Sequence, residues 1–272
     1  MIEIDIEEFK QIQLDILVKI DEFCRRNGIP YFLAGGTGIG AARHQGYIPW
    51  DDDIDIAMTR PNYERFIHSF NGFAEHLSLY APELDWNYYA PYANVCDNRT
   101  LLLEGAIGHR GQEIGVKVDV FPIDGTTDNY IYSVIRHKFV RLLDQIMSRK
   151  RRDMSIVWRT DKWKFCTCLL VRTIFYFISY TTLQKIVHRI GTKFPFETSS
   201  QAYNIVSSDY KLPVQCRREI YEQYIDVSFE GYTLMTIKDY DAYLSALFGN
   251  YMQLPPEDQR VGHHGFTAYW KD

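Results

Sequence analysis

Asp53-Ile54-Asp55-Ile56-Ala57 decides how the rest of this 272-residue chain reads. On a strand, alternation puts both carboxylates on one face and both isoleucines on the other. Two residues along a strand span about 6.6 Å between Cα atoms. Carboxylates leaning to within about 4 Å repel by about 4 kcal/mol at an effective dielectric of about 20. A divalent cation turns that repulsion into attraction, so the stretch predicts a metal site. Upstream, Tyr31-Phe32-Leu33-Ala34-Gly35-Gly36-Thr37-Gly38 is an apolar run ending in glycines, which let backbone N–H groups approach a phosphate with no Cβ in the way. Together the two stretches predict a metal–nucleotide site.

Outward from this centre, Phe9, Ile12, Ile16, Ile20 and Phe23 recur at three and four residues. They predict a helix over 6–26 that Asn27-Gly28 ends. A short strand is expected at 31–34. A small helix at 37–45 would turn its positive end toward an anion, the Asp strand would end near Met58, and Pro61 would open a helix reaching 70. Further strands are expected at 93–96, 101–104 and 116–121. In the last, Lys117, Asp119 and Phe121 share one face and the valines share the other, which makes Asp119 a candidate third carboxylate. From 129 to 194 the pattern is helical and basic. Short helices and a turn at Phe229-Glu230-Gly231 follow, and the proline-rich stretch 251–260 reads as a loop. These elements make an α+β fold: a catalytic core at 1–128, an inserted helical, basic and aromatic subdomain at 129–200, and a C-terminal segment at 201–272 that packs back on the core.

Hydrophobic residues at 46 % and charged residues at 24 % are those of a globular protein, which excludes a disordered chain. Cys24, Cys96, Cys166, Cys168 and Cys216 are odd in number and follow neither CxxC nor zinc spacing, so reduced thiols in a cytoplasmic setting are expected. No basic segment followed by an apolar one opens the sequence as in a secretory signal. No run of about 20 apolar residues is present; Arg172 interrupts the nearest approach at 165–180. The net charge of −5 hides a polar distribution: from Arg136 to Arg172 there are 11 basic and three acidic residues, leaving −13 on the remainder. That block includes Arg149-Lys150-Arg151-Arg152, Trp158, Trp163, Phe165, Phe175, Tyr176 and Phe177. Over 136–180 it suits peripheral contact with the anionic inner face of a plasma membrane; the alternative is a solvated helix followed by a buried one. Nucleic acid is a poorer partner for a chain of negative total charge without a recognised binding motif.

Hard oxygen ligands on a strand, without the spacing of an EF-hand loop, favour Mg²⁺ or Mn²⁺ held jointly with phosphates. Gly35-Gly36-Thr37 followed by Arg43-His44-Gln45-Gly46-Tyr47-Ile48-Pro49-Trp50-Asp51-Asp52-Asp53-Ile54-Asp55 resembles the signature of the LicD family, which is related to fukutin-type transferases within the nucleotidyltransferase superfamily. Val118-Asp119-Val120-Phe121-Pro122-Ile123-Asp124-Gly125 resembles its second acidic motif. Phe229-Glu230-Gly231, the segment 248–256 and His263-His264 resemble its C-terminal signature, so the resemblance spans nearly the whole chain. It implies a nucleotidyltransferase-like mixed β-sheet core flanked by helices. It also implies transfer of phosphocholine, or alternatively of an alditol or sugar phosphate, from a CDP-linked donor, CDP-choline first, to a hydroxyl of a lipid-linked or cell-wall glycan precursor of teichoic acid or lipopolysaccharide type, releasing CMP.

Carried onto this sequence, the resemblance makes Asp53 and Asp55 paired metal ligands and Asp119 the third. It implies a basic residue where the chain has Asn94. Gly35, Gly36 and Thr37 would cradle phosphates, and a carboxylate beside the metal would serve as general base, Asp119 first and Asp52 second. Arg43, His44, Trp50, Arg260, His263 and His264 are candidates for the substrate and nucleotide side, not for metal. Trp86, Tyr88, Tyr89 and Tyr92 could cage a quaternary ammonium or simply pack. Two other classes remain open: nucleotidyl transfer from a nucleoside triphosphate with release of pyrophosphate, and a non-catalytic metal–nucleotide sensor or membrane-binding module.

Overall fold

The structure, a computed structural model, describes residues 1–105, 113–206, 212–260, 262 and 265–271. Strand β1 (Ile2–Ile4) leads into α1 (Ile6–Asn27), which Asp5 caps by accepting from the Glu8 amide and Gly28 closes at φ 56°. Next come β2 (Phe32–Leu33), α2 (Gly35–His44), β3 (Asp55–Thr59) and α3 (Arg60–Ser69). After β4 (Leu77–Tyr80), β5 (Ala93–Asp97), β6 (Thr100–Leu103) and β7 (Lys117–Thr126) lies a helical run: α4 (Tyr130–Arg151), α5 (Met154–Thr160), α6 (Lys162–Ile174) and α7 (Tyr180–Gly191). The chain ends with β8 (Gln201–Tyr203), β9 (Cys216–Arg217), β10 (Tyr224–Phe229), β11 (Tyr232–Ile237), α8 (Tyr240–Phe248) and β12 (Thr267–Trp270).

The central sheet runs β2-β3-β7-β5-β4, with β8 and β9 added alongside the far end of β7. β3 and β7 are parallel; the other pairs are antiparallel, so this is a mixed sheet in an α+β fold. Its two faces divide as strand alternation requires. Ile54, Ile56, Met58, Val118 and Val120 pack with α1 and α3 in one core, while Ala57, Phe121 and Ile123 join α4, α7 and α8 in another. Asp55 and Asp119 lie on the second face, at the edge of that core. A separate sheet, β1-β12-β6, ties the two ends of the chain together.

Several expectations need correction. β3 begins at Asp55, so Asp53 lies in the extended segment ahead of it. The glycine pair forms the first turn of α2 and does not precede the helix. The turn at 229–231 closes a hairpin of β10 and β11 where short helices were expected; among the described residues of 203–247, only α8 and a 3-10 turn at Arg218–Tyr221 are helical. β1, β4 and β12 went unread because each is only three or four residues long.

The basic block is partly internal. Arg136 is buried and donates to the carbonyls of Gly125 and Gly191. Arg151 donates to Tyr89 O, Lys150 to the carbonyls of Phe175 and Ile178, and Arg172 to those of Lys150 and Arg152. The aromatic stretch that follows is mostly exposed, so the buried-helix alternative does not hold.

A carboxylate-centred candidate active site

Parallel register brings the acidic centre together. Asp55 on β3 stands directly opposite Asp119 on β7, and Asn94 on β5 stands opposite Asp119 from the other side. Burial pushes the Asp55 carboxyl well above the usual carboxylate range, reinforced by the charges of Asp53, Asp119 and Asp51. Burial also raises Asp119, an effect that the Lys117 ammonium opposes.

α2 points its uncapped first turn at this cluster. A Cβ on Gly36 would meet Asp51 Oδ2 at 2.4 Å, and one on Gly35, at φ 52°, would meet Asp55 Oδ2 at 3.0 Å. The glycines therefore admit two carboxylates to the positive end of the helix, where anions are favoured. Thr37 is buried, and its Oγ1 accepts from the Asp55 amide at 2.8 Å, which fixes where β3 starts. Asp51, quoted in the acidic motif but given no role there, belongs to the cluster; its signal was the run Asp51-Asp52-Asp53 beside the glycines.

Asp119 is held on three sides. Asn94 Nδ2 and the Tyr92 hydroxyl donate to it, and Lys117 Nζ lies 3.1 Å from Oδ1. Asn94 is in turn oriented by the Tyr88 hydroxyl. Asn94 stands where the resemblance implies a basic residue; Lys117, on the same strand face as Asp119, brings a cation to this carboxylate from β7. Asp52, Asp53, Tyr92, Glu104, Lys117 and Asp119 wall a cavity of about 160 Å³ with Phe9 and Phe266 at one side. A smaller cavity of about 50 Å³, with Gly35, Asp55, His137, Tyr203 and Asn204 in its lining, lies on the α4 side. His137 and Tyr203 carried no signal in the sequence.

The remaining candidates fall in two places. Arg43 donates to the carbonyls of Tyr251 and Gln253 and to His44 Nε2. His44 meets Trp50 edge to face, and Arg260 stacks over Trp50 at 5.7 Å while donating to Pro255 O. These four residues clamp the C-terminal loop onto the end of α2. Burial lowers the pKa of both Arg43 and His44. Gly262 passes Trp50 and Asp52; His263 and His264 lie outside the described residues. Glu230, at φ 49°, accepts from the Tyr47 amide and donates its own amide to Gln45 O, which makes the 229–231 turn the brace of the loop entering the acidic stretch.

Two features of the second acidic motif and the aromatic cluster are structural. Asp124 pairs with Arg60 through two hydrogen bonds, Arg60 reaches Glu83 at 3.1 Å, and Glu83 meets His188 at 3.2 Å. Tyr88 and Tyr89 are buried against each other and against Tyr80, while Trp86 packs on His188, so these rings do not converge on a cage.

Among the described residues no three His, Cys, Asp or Glu side chains converge into a ready-made metal cage. The donor chemistry nonetheless fits a hard cation. Mg²⁺ commonly takes one or two carboxylates and completes its shell with water and substrate phosphate, and Asp53 and Asp55 are two mutually repelling carboxylates at one centre.

A family model described as LicD/FKTN/FKRP, nucleotidyltransferase domain, matches residues 28–93, from the end of α1 to the start of β5. The lipopolysaccharide cholinephosphotransferase LicD of Haemophilus influenzae is 30 % identical over 99 % of this chain and 99 % of its own length. An uncharacterised protein of Rickettsia typhi is 27 % identical over 49 % of this chain and 41 % of its own. A mixed sheet that centres opposed carboxylates beside a glycine-opened helix, in a chain matched end to end by such a relative, defines an α+β transferase. The chain belongs to the LicD family.

Proposed function

We propose that this enzyme transfers phosphocholine from CDP-choline to a hydroxyl of a cell-surface glycan of the lipopolysaccharide type, releasing CMP, on a nucleotidyltransferase-like scaffold. The observation that carries the reading is the opposition of Asp55 and Asp119 across parallel strands, with Asp53 beside them and Lys117 on the same face. The end-to-end similarity to a lipopolysaccharide cholinephosphotransferase supports phosphocholine over other groups.

The acceptor oxygen attacks the phosphorus that bears choline. The bond from that phosphorus to the bridging oxygen breaks, and CMP leaves with the electron pair. The acceptor proton passes to a carboxylate of the larger cavity, Asp119, whose burial raises its affinity for a proton, with Asp52 as the alternative. Lys117 offsets phosphate charge in the same cavity. At about 160 Å³ this cavity is smaller than the roughly 300–1,000 Å³ of pockets that enclose whole ligands, so it admits the reacting phosphates while the rest of donor and acceptor lie outside. Asp53 and Asp55 would hold Mg²⁺, which when bound stabilises charge developing on the departing phosphate.

Turnover of CDP-choline, CDP-ribitol, CDP-glycerol and CTP with a delipidated lipopolysaccharide acceptor, in Mg²⁺ or excess chelator, tests the reading by product. Metal-dependent CMP release from CDP-choline alone is the expected result. Pyrophosphate release from CTP would replace the proposal with nucleotidyl transfer, and a preference for CDP-ribitol or CDP-glycerol would change the transferred group.

A further inference from the structure

α4 has two apolar faces. Val140, Leu143, Ile146 and Met147 are buried, whereas Ile131, Ile135, Phe139 and Leu142 are exposed. The exposed set is spaced by four, four and three residues, which is one continuous stripe on a helix. α6 is turned outward more completely: Cys168 is its one buried residue, and Trp163, Leu170 and Ile174 are exposed. The turn after it presents Phe177 at 95 % exposure. Apolar surface of this extent on neighbouring helices marks an interaction site.

The charge around it names the partner. Lys138, Arg159, Lys162, Lys164, Lys185 and Arg189 are exposed among these helices. The acidic residues between 130 and 193 are Asp144, Asp153 and Asp161, and the last two turn their carboxylates into the N-termini of α5 and α6. Between α4 and α7 runs a groove of about 660 Å³, floored by Ile135, Phe139 and Ile190 and rimmed by Arg189 and Lys193. Tryptophan and aliphatic side chains interleaved with lysine and arginine match the boundary between phospholipid headgroups and acyl chains. Among the described residues no helix is long and apolar enough to cross a membrane, so contact would be interfacial.

We propose that the face formed by α4, α6 and the turn at 175–178 docks on an anionic phospholipid bilayer, with Phe177 and Trp163 at the headgroup boundary and the lysines on lipid phosphate. The surplus of negative charge on the rest of the chain turns the remainder of the molecule away from that surface, so the bilayer both holds and orients the enzyme. The inference stands on this face alone and does not rest on the transferase reading.

Sedimentation of the full chain with vesicles of phosphatidylcholine, alone or enriched in phosphatidylglycerol, tests it. Anionic vesicles should bind at least about tenfold more tightly, and added salt should weaken binding. Lys162→Gln with Lys164→Gln should weaken it by about 25-fold, at about fivefold per cation. Trp163→Ser with Phe177→Ser should reduce it on both vesicle types. All of these side chains are solvent-facing, so thermal melts and turnover with a delipidated acceptor should stay unchanged. Equal partitioning onto neutral and anionic vesicles would overturn the proposal, as would unchanged binding by the variants. A dimer in light scattering that Ile135→Ser with Phe139→Ser disperses would assign the face to a second copy of the chain and overturn it as well.

Discussion

Asp55 is held where its own charge is unfavourable. Its folded-state pKa lies above that of the unfolded chain, about 3.9 for an aspartate. The penalty for ionisation is therefore fully present above the folded-state value and is relieved as pH falls through it. Metal-free protein should accordingly gain stability from this group on mild acidification, and Mg²⁺ should raise Tm at neutral pH. Asp55→Asn removes the charge and keeps the shape: it should raise Tm without metal, abolish the Mg²⁺-induced shift in a thermal melt, and lower turnover by about 10³-fold or more. Lys117 makes the opposite case, a half-buried cation 3.1 Å from Asp119 and 3.8 Å from Glu104. Lys117→Met should cut kcat/KM for the donor by about 100-fold, the scale of one lost charge-assisted contact, while Lys117→Arg retains much of it in steady-state assays. Of this centre, Asp55 and Asp119 were legible from strand alternation, whereas Asp53, two residues earlier, stands ahead of β3 and not on it. That Lys117 meets Asp119 from the same strand was legible too, but that Asn94 faces Asp119 depends on strand register, which a single sequence does not carry.

Helix α2 shows at the scale of an element why small residues stand where they do. Alanine in place of glycine inside a helix ordinarily stabilises by about 0.5–1 kcal/mol. At Gly40 a Cβ would sit 2.4 Å from the Gly46 carbonyl oxygen, where the chain doubles back into the loop before the acidic stretch. Gly40→Ala should therefore destabilise, by about 1–3 kcal/mol in urea titration, because backbone and not a flexible side chain must move. The junction of α3 with β7 makes a second case. Arg60 neutralises both Asp124 and Glu83, which are buried, and burial of Glu83 is outweighed by His188 and Arg60 so that its pKa falls below the ordinary value. Arg60→Met leaves the buried Asp124 carboxylate uncompensated and Glu83 with His188 and the Tyr63 hydroxyl alone, and should cost about 3–5 kcal/mol by the same titration. Because the Glu83 pKa is depressed on folding, the stability it contributes in the parent is present above about pH 4.5 and is lost as pH falls through the lowered value. α1 was legible from its period and its Asn27-Gly28 end, and α3 from Pro61 in its first turn. The hairpin of β10 and β11 was not, although its turn at Glu230-Gly231 was: Ile225, Val227 and Phe229 alternate with Asp226 and Ser228 on β10, but β11 lacks such alternation, its Leu234, Thr236 and Ile237 being buried on both faces.

Across the whole molecule, the two ends of the chain meet. β12 lies between β1 and β6, with Ile4 opposite Ala268 and Leu102 opposite the same residue from the other side. Phe266 stacks on Phe9 at 4.2 Å and lines the cavity of Asp53 and Asp119, so the last strand closes both the fold and one wall of the site. No local pattern announces this closure: Phe266-Thr267-Ala268-Tyr269-Trp270 is a four-residue strand and its neighbour, given meaning only by partners 164 to 268 positions away. Deleting 266–271 should expose Phe9, Ile4 and Leu102 and lower stability by about 3–6 kcal/mol, the transfer of two or three large apolar side chains to water. Deleting 1–4 should cost less, because β12 keeps β6. The two deletions share one ladder, so their effects should fall short of additive, and a double-deletion cycle in urea measures the shortfall. The β12 deletion should also raise KM for the donor, whereas deletion of β1, none of whose residues lines that cavity, should leave KM unchanged. Equal kinetic effects of the two would mean that the terminal sheet acts on the site only through stability, and a single cooperative transition retained in every variant would show that it remains part of one folding unit.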